Sequence, residues 1–322
     1  MKIFDGHADI WFDVASKRKK GLENIVKNYH YDRFNAGKIM GGIFVAYLDD
    51  ESVVVDDEKE MMFMVNSAMH ELRENQDLFN IIKNQGDFNR GLVSEKMNVL
   101  MGIEGLRAIK ENLDWLDTFY ALGFRHASLT WNEQNALATG ARGDENRGIT
   151  PLGIEAVKKL NRLGMVVDVS HANEKSFWGI YEASSKPIIA SHSNARSLCD
   201  HVRNLRDEQI RAIAETGGLV GAVAFKGFVS ANKEEQTLSK YVDHIDHMVD
   251  LVGVKHVGIG FDFCEYLYDD REGRDMNPLG LEDASKAQDV IAELRRRGYK
   301  EEDIRKIAYE NFMRVIENTL IK

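Results

Sequence analysis

Residues 148–171 read GITPLGIEAVKKLNRLGMVVDVSH and contain one helix followed by one strand. Thr150 supplies an N-cap and Pro151 stands in the first turn, which is typical of a helix start. The predicted helix, 151–163, carries its apolar residues on one face: Ile154, Val157, Leu160 and Leu163. The β-branched run 165–171 then predicts a buried strand that ends at His171.

The same alternation of strand and helix recurs along the whole chain. The predicted strands are residues 3–9, 38–48, 97–105, 124–131, 165–171, 187–193, 218–225 and 255–263. Each segment between them is long enough for a crossover helix, which predicts parallel strands. Beyond the last strand, residues 281–298 and 301–320 carry two further amphipathic helices.

Eight parallel strands with helices between them indicate an α/β protein, a (β/α)8 TIM-type barrel with extra C-terminal helices. The strand count matches a closed barrel, and no GxGxxG motif opens the chain as it does in an open dinucleotide-binding sheet. Such a barrel takes about 250 residues, so 322 residues leave room for long loops. We therefore expect one domain over residues 1–322.

The composition excludes several classes of function. The formal net charge of −10 and the pI near 5.5 argue against a nucleic-acid partner, because phosphate binding needs clustered Lys and Arg. No apolar stretch reaches the ~20 residues that span a bilayer, and the N-terminus has no signal-peptide core. The two cysteines, Cys199 and Cys264, lack metal-binding spacing. We expect a cytoplasmic protein without a membrane partner.

Metal-ligating residue types gather at the C-terminal ends of the predicted strands. His7 and Asp9 lie two residues apart, so in an extended chain they point to the same side. The other strand-end residues are Glu104, His171, His192 and Asp262. Active sites of (β/α)8 barrels lie at this face. Imidazoles together with carboxylates suit Zn²⁺ or a similar ion, and one carboxylate between two pairs of ligands suits a bridged two-metal centre.

Another pair of histidines has a simpler explanation. His244 and His247 stand at i and i+3 of a predicted helix, a spacing that could chelate a metal. A solvent-facing pair is the more common arrangement. We therefore expect these two side chains to face the solvent.

Seven motifs lie in a fixed order along nearly the whole chain. They are DGHADI (5–10), GIEG (102–105), the stretch 148–171 quoted above, SHSNARSLCDHVRN (191–204), HVGIGFDF (256–263), GLEDASKAQDVIAELRRRGY (280–299) and ENFMRV (310–315). Together they resemble the renal (membrane) dipeptidase family, zinc-dependent dipeptidases of the amidohydrolase-like barrel group. The order of several separate motifs makes the resemblance specific.

The resemblance implies two divalent metal ions per chain, with Zn²⁺ expected. His7, Asp9 and Glu104 would hold one ion. Glu104 would bridge to the second ion, which His171 and His192 complete. A water between the ions would be the nucleophile, because two cations lower its pKa and polarise the scissile carbonyl.

The resemblance also implies roles for two residues outside this ligand set. Asp262 matches an aspartate that hydrogen-bonds the water, which makes it the general base and the later proton donor to the leaving amine. A further metal ligand or an orienting residue is the alternative for Asp262. Arg203 matches an arginine that binds the terminal carboxylate of the substrate, since a guanidinium fork fits a carboxylate with two hydrogen bonds.

The chain departs from the family pattern at two strands. Trp131 follows Leu129-Thr130, where the animal enzymes have a substrate-contacting histidine. An indole N–H can donate one hydrogen bond, but the ring can neither take up a proton nor carry a positive charge. His126 lies five residues earlier and is expected to sit deeper in the strand. The frequent DFDG motif ends here in Cys264 and a glutamate, which changes the predicted pocket.

The motifs favour a metallo-dipeptidase that hydrolyses L-Xaa-L-Xaa and L-Xaa-D-Xaa dipeptides. The alternatives are hydrolysis of another small amide or cyclic substrate by the same centre, or a metal-binding barrel with little peptidase activity. Asp262 and Arg203 favour the dipeptidase, whereas Trp131 leaves the alternatives open. The resemblance further implies a homodimer.

Overall fold

The computed structural model describes residues 1–49, 56–267 and 275–321. Within them, nine strands form one sheet: β1 (Ile3–Ala8), β2 (Ile39–Tyr47), β3 (Phe79–Ile81), β4 (Met97–Glu104), β5 (Phe124–Ser128), β6 (Val166–Asp168), β7 (Ile188–Ala190), β8 (Leu219–Ala222) and β9 (Val257–Ile259). Their order is β1-β2-β4-β5-β6-β7-β8-β9, and β3 pairs with β4. All eight predicted strands are confirmed, and the three-residue β3 is additional.

Helices connect the strands and extend the chain beyond β9. The α-helices of the described residues are Ile10–Lys19, Tyr31–Gly37, Asp57–Glu74, Gln85–Val93, Trp115–Leu122, Pro151–Leu163, Glu174–Ala183, Asp207–Glu215, Lys226–Val229, Leu238–Val252, Ala287–Arg296, Glu301–Arg305 and Asn311–Thr319. Single π-helical turns occupy Val26–His30 and Lys306–Glu310. Parallel strands with helices between them, and the helices after β9, confirm the predicted (β/α)8 TIM-type fold.

The predicted helix 151–163 shows why these residues form these elements. The Thr150 side chain accepts a hydrogen bond from the N–H of Gly153, and Pro151 stands at the first helical position. Gly164 ends the helix in the left-handed conformation, where a residue without Cβ is not strained. The caps at both ends are therefore local, and the sequence alone places the helix.

The chain divides into two compact units. Unit 1 comprises residues 1–9, 26–42 and 190–315, and unit 2 comprises residues 10–25, 43–189 and 316–322, each within its described part. In unit 1, β9 leads back to β1: the Phe261 N–H donates to the Asp5 carboxyl (2.8 Å), and the Asp262 N–H donates to the His7 carbonyl (3.3 Å). The last strand thus lies beside the first, as a closed barrel requires.

The structure also bears on the expected absence of a membrane span. Among the described residues, no helix combines the length and the apolar character needed to cross a bilayer. Cys199 and Cys264 are both buried.

Candidate metal centre

The end of β1 brings together the first predicted ligands, all in unit 1. His7 and Asp9 are buried, with His7 Nε2 3.3 Å from Asp9 Oδ1. Asp262 follows β9 and places its Oδ1 3.9 Å from the same imidazole nitrogen. Each of the three residues offers one ligand atom, and these atoms all lie within 4.8 Å of one another. The three side chains therefore form a candidate cation cluster.

Asp262 has both an unusual backbone and an unusual environment. Its φ of +56° lies in the left-handed region, which residues with a Cβ rarely adopt, and such strain is common at functional sites. Burial raises the pKa of its carboxyl to about 6, against the opposing effect of His7 and with the added effect of Asp9. The carboxylates of Asp9 and Asp262 lie close enough to favour a bound cation, because their charges otherwise repel each other.

Asp5, in β1, holds the backbone next to this cluster, and it was not among the predicted site residues. Its Oδ1 accepts hydrogen bonds from the N–H groups of His7 (3.2 Å) and Phe261 (2.8 Å). Burial raises the pKa of Asp5 to about 7. The spacing of residues 5, 7 and 9 could have indicated it, because alternate residues of an extended strand point to the same side.

His192 and Arg203 complete the predicted residues of unit 1. The His192 ring lies 3.8 Å from the His7 ring, centroid to centroid. A guanidinium N–H of Arg203 reaches His192 Nε2 at 2.8 Å, and His192 Nδ1 lies 2.8 Å from the Ser191 hydroxyl. Arg203 is buried, with its guanidinium 5.7 Å from the Phe228 ring centre. Unit 1 thus holds a basic donor next to a predicted metal ligand.

Two glycines fix the backbone that carries His192. A Cβ at Gly221 would lie 2.1 Å from the Ser191 carbonyl oxygen, and one at Gly260 would lie 1.8 Å from it. The segment after β7 can therefore pack against β8 and β9 only because both residues lack a side chain. Their substitution would displace the chain next to His192.

The other predicted ligands lie together in unit 2. Glu104 ends β4, and its Oε1 is 2.9 Å from Nε2 of His171, which follows β6. The second ring nitrogen of His171 lies 3.1 Å from Oδ1 of Asn132. The amide oxygen accepts the Nδ1–H and so directs Nε2 toward the carboxylate, an arrangement typical of metal-binding histidines. Asn132 was not among the predicted site residues, although its place directly after Trp131, at the end of the fourth predicted strand, is a signal.

Trp131 and His126, both in unit 2, have different surroundings. The Trp131 ring lies 5.9 Å from the His171 ring, nearly parallel to it. His126 is fully buried within β5 and bonds through Nε2 to the Asp168 carboxylate at 2.9 Å. Asp168 also accepts hydrogen bonds from the N–H and hydroxyl of Ser170. His126 therefore sits deeper in the strand, as expected, and is held by a partner that the sequence did not reveal.

The expectation for the histidine pair at i and i+3 was wrong for one member. His244 is fully buried, and only His247 is partly exposed. His244 Nδ1 accepts from the Ala195 N–H (3.2 Å), and its Nε2 lies 2.9 Å from the Val229 carbonyl. These bonds anchor the loop that follows His192.

Comparison with known proteins agrees with the motifs and with the fold. The family model described as membrane dipeptidase (peptidase family M19) matches residues 1–321. An uncharacterized dipeptidase of Schizosaccharomyces pombe is 34% identical over 244 residues, which are 75% of this chain and 58% of the fungal protein. The chain spans little more than half the length of the curated relatives that it matches first.

Two solved structures share the architecture over 99% of both chains. One is a metallopeptidase from Rhodobacter sphaeroides liganded with a phosphinate mimic of the dipeptide L-Ala-D-Ala, at 24% identity and a TM-score of 0.87. The other is the metallopeptidase dipeptidase AC of family M19, at 26% identity and a TM-score of 0.87. The resemblance inferred from the seven motifs is confirmed. The chain belongs to the membrane dipeptidase family, peptidase family M19.

Proposed function

We propose that this chain is a metal-dependent dipeptidase that hydrolyses the peptide bond of small dipeptides. The observation that carries the proposal is the cluster of buried His7 and Asp9 with half-buried Asp262, whose ligand atoms lie within 4.8 Å of one another. Family membership supports the activity and a divalent metal requirement. The Rhodobacter enzyme holds a mimic of L-Ala-D-Ala, which supports a small dipeptide substrate with a D-residue in the second position. An L-residue in that position is what the sequence motifs imply.

The proposed centre contains two Zn²⁺ ions. His7 and Asp9 would hold the first ion, His171 and His192 would hold the second, and Glu104 would serve both. The donor chemistry fits, because every one of these residues is buried and supplies an imidazole or a carboxylate, the groups that zinc prefers. When bound, the ions supply Lewis acidity, which lowers the pKa of water and polarises the scissile carbonyl.

Asp262 is the proposed general base. It takes a proton from the attacking water and later gives a proton to the leaving amine, which requires a carboxyl that changes its protonation state during the reaction. Its Oδ1 lies 3.9 Å from Nε2 of His7, a proposed metal ligand, which would place it next to the attacking water. Because Asp262 also belongs to the cation cluster, direct ligation is the alternative role.

Arg203 is the proposed binding residue for the substrate carboxylate. Its buried guanidinium reaches His192, so a carboxylate bound there would lie next to the metal centre. A planar fork of N–H donors fits a carboxylate with two hydrogen bonds. This assignment restricts the substrate to short peptides with a free C-terminus.

Hydrolysis of another small amide or cyclic substrate is the second candidate. Trp131 favours it, because an indole takes the place of the family histidine beside His171. The two candidates share the metal centre and differ only in the substrate.

The decisive experiment combines a metal-content assay with a panel of L,L and L,D dipeptides, before and after chelation and return of zinc. We expect about two zinc ions per chain, and cleavage that is lost to the chelator and restored by zinc. His7→Ala should lower both metal content and activity, whereas His247→Ala, outside the centre, should change neither. Two metals without dipeptide cleavage would favour the other amide, and a purified protein that binds no divalent metal would refute the proposal.

A further inference from the structure

Trp131 belongs to a column of aromatic rings that lies within unit 2. Its ring centre is 5.6 Å from that of Tyr47, with an angle of 29° between the ring planes. Tyr47 stacks in turn on Phe12, with centres 4.4 Å apart and an angle of 20°. At its other end the column meets His171, 5.9 Å from Trp131 at 28°. The stacked rings of Phe12, Tyr47 and Trp131 therefore end next to His171, a proposed metal ligand.

The backbone holds Trp131 in place. Gly105, with φ +84°, follows the proposed bridging Glu104, and a Cβ there would lie 2.8 Å from the Trp131 backbone nitrogen. The Trp131 N–H donates to the Glu133 carboxylate at 3.1 Å. The segments that carry Glu104 and Trp131 are thus closely packed, so the indole has a defined position next to the chemistry.

The rings of the column are not fully enclosed by the protein. Tyr47 is 7% exposed, and Phe12 and Trp131 are only half-buried. Phe12 and Tyr47, with ring centres 4.4 Å apart, cover part of each other's faces. Aromatic rings bind apolar groups by burial and dispersion, and their edges carry partial positive charge, which attracts aromatic faces and repels a cation.

We propose that Phe12, Tyr47 and Trp131 form a specificity subsite that selects dipeptides with one aromatic or large aliphatic side chain. The inference rests on the proposed dipeptidase function and names its substrate class. The subsite binds the side chain by apolar contact, and it discriminates against charged side chains because the three rings supply no charge.

The test uses the zinc-loaded protein and two dipeptide series, Xaa-Ala and Ala-Xaa, with Ala, Leu, Phe and Lys as Xaa. In one series, kcat/KM for Phe should exceed that for Ala by about ten-fold or more, as expected for partial burial of an aromatic side chain. Lys should not be favoured over Ala. Most of the preference should appear in KM, because the contact is made equally in the bound substrate and in the transition state.

Variants connect the preference to the column. Trp131→Ala should reduce the Phe-to-Ala ratio to about three-fold or less, and Trp131→His, with a smaller polar ring, should also weaken it. Trp178→Ala is the matched control, since Trp178 is also half-buried and contacts the rings of Phe177 and Tyr181 outside the column. The control should keep the wild-type ratio.

A binding measurement separates this inference from the proposed activity. Calorimetry with phosphinate analogues of Ala-Ala, Phe-Ala and Ala-Phe should show tighter binding of one Phe analogue, and Trp131→Ala should abolish the difference. That result without any cleavage would support the subsite and refute the dipeptidase. Cleavage with equal rates for Ala and Phe, a preference for Lys, or a ratio that survives Trp131→Ala would overturn the subsite alone. Neither cleavage nor binding of any analogue would overturn both.

Discussion

Acidification should destabilise the protein through one buried histidine, His244, in helix Leu238–Val252. Burial lowers its pKa from 6.5 to about 4, against a hydrogen bond to the Val229 carbonyl that raises it. In the neutral ring, Nε2–H donates to that carbonyl and Nδ1 accepts from the Ala195 N–H. A protonated ring carries hydrogen on both nitrogens and can no longer accept from Ala195. The folded chain therefore resists protonation.

The sign and the size of the effect follow from this pKa. The unfolded chain takes up the proton first as the pH falls, so His244 lowers the stability between pH 6.5 and about 4 and has no effect above this window. The shift from 6.5 to about 4 corresponds to a full loss of about 3 kcal/mol, of which about 2 kcal/mol is lost by pH 5.

Denaturant unfolding at pH 7 and pH 5 measures this loss against His244→Gln, which does not titrate. The substitution should cost ~1–3 kcal/mol at pH 7, because it leaves the buried Ala195 N–H without its acceptor. All other titrating groups are common to both proteins, so wild type should lose about 2 kcal/mol more than the variant between the two pH values. An equal loss of stability in both proteins would show that the pKa of His244 is not lowered in the folded protein.

Three substitutions test the proposed centre. Asp262→Asn should keep both metals and lower kcat by about 10²–10⁴-fold, since only proton transfer is removed. Metal analysis and steady-state kinetics measure the two effects. Near-normal activity would exclude Asp262 as the general base. Glu104→Gln should lose metal as well as activity, because the proposed bridge serves both ions; full zinc content would contradict the bridge. Asn132→Leu should weaken zinc binding by about 10–100-fold, because His171 loses the acceptor that orients its ring. Competition with a chromophoric chelator measures this affinity, and unchanged affinity would show that Asn132 does not orient the ligand.

The sequence was sufficient for the elements whose signals are local. The helix Pro151–Leu163 has its N-cap, its proline and its terminal glycine within or next to its own length. The strand β3 was missed because three residues cannot show a periodicity. The single-domain boundary, the homodimer and the cytoplasmic location remain predictions.

In the candidate site, too, the sequence predicted contacts that depend on local spacing and missed those that depend on the packing of distant segments. His7 and Asp9 could be paired from spacing alone, because alternate residues of one strand share a side. Asn132 and Asp168 could not be paired with their histidines, because these contacts depend on how neighbouring strands are aligned. In the sheet, Ser128 of β5 stands opposite Asp168 of β6, and in this register His126 reaches the Asp168 carboxylate.

Trp131 shows where this limit matters for function. The departure from the family histidine was visible in the sequence, but its consequence was not, because the ring partners Tyr47 and His171 come from other strands. A histidine at this position could exchange a proton, whereas the indole can only pack and donate one hydrogen bond. If the metal ions supply the charge stabilisation that the histidine would give, the substitution leaves the chemistry intact and changes which side chain is bound. The Phe-to-Ala ratio is therefore more informative about Trp131 than the absolute rate.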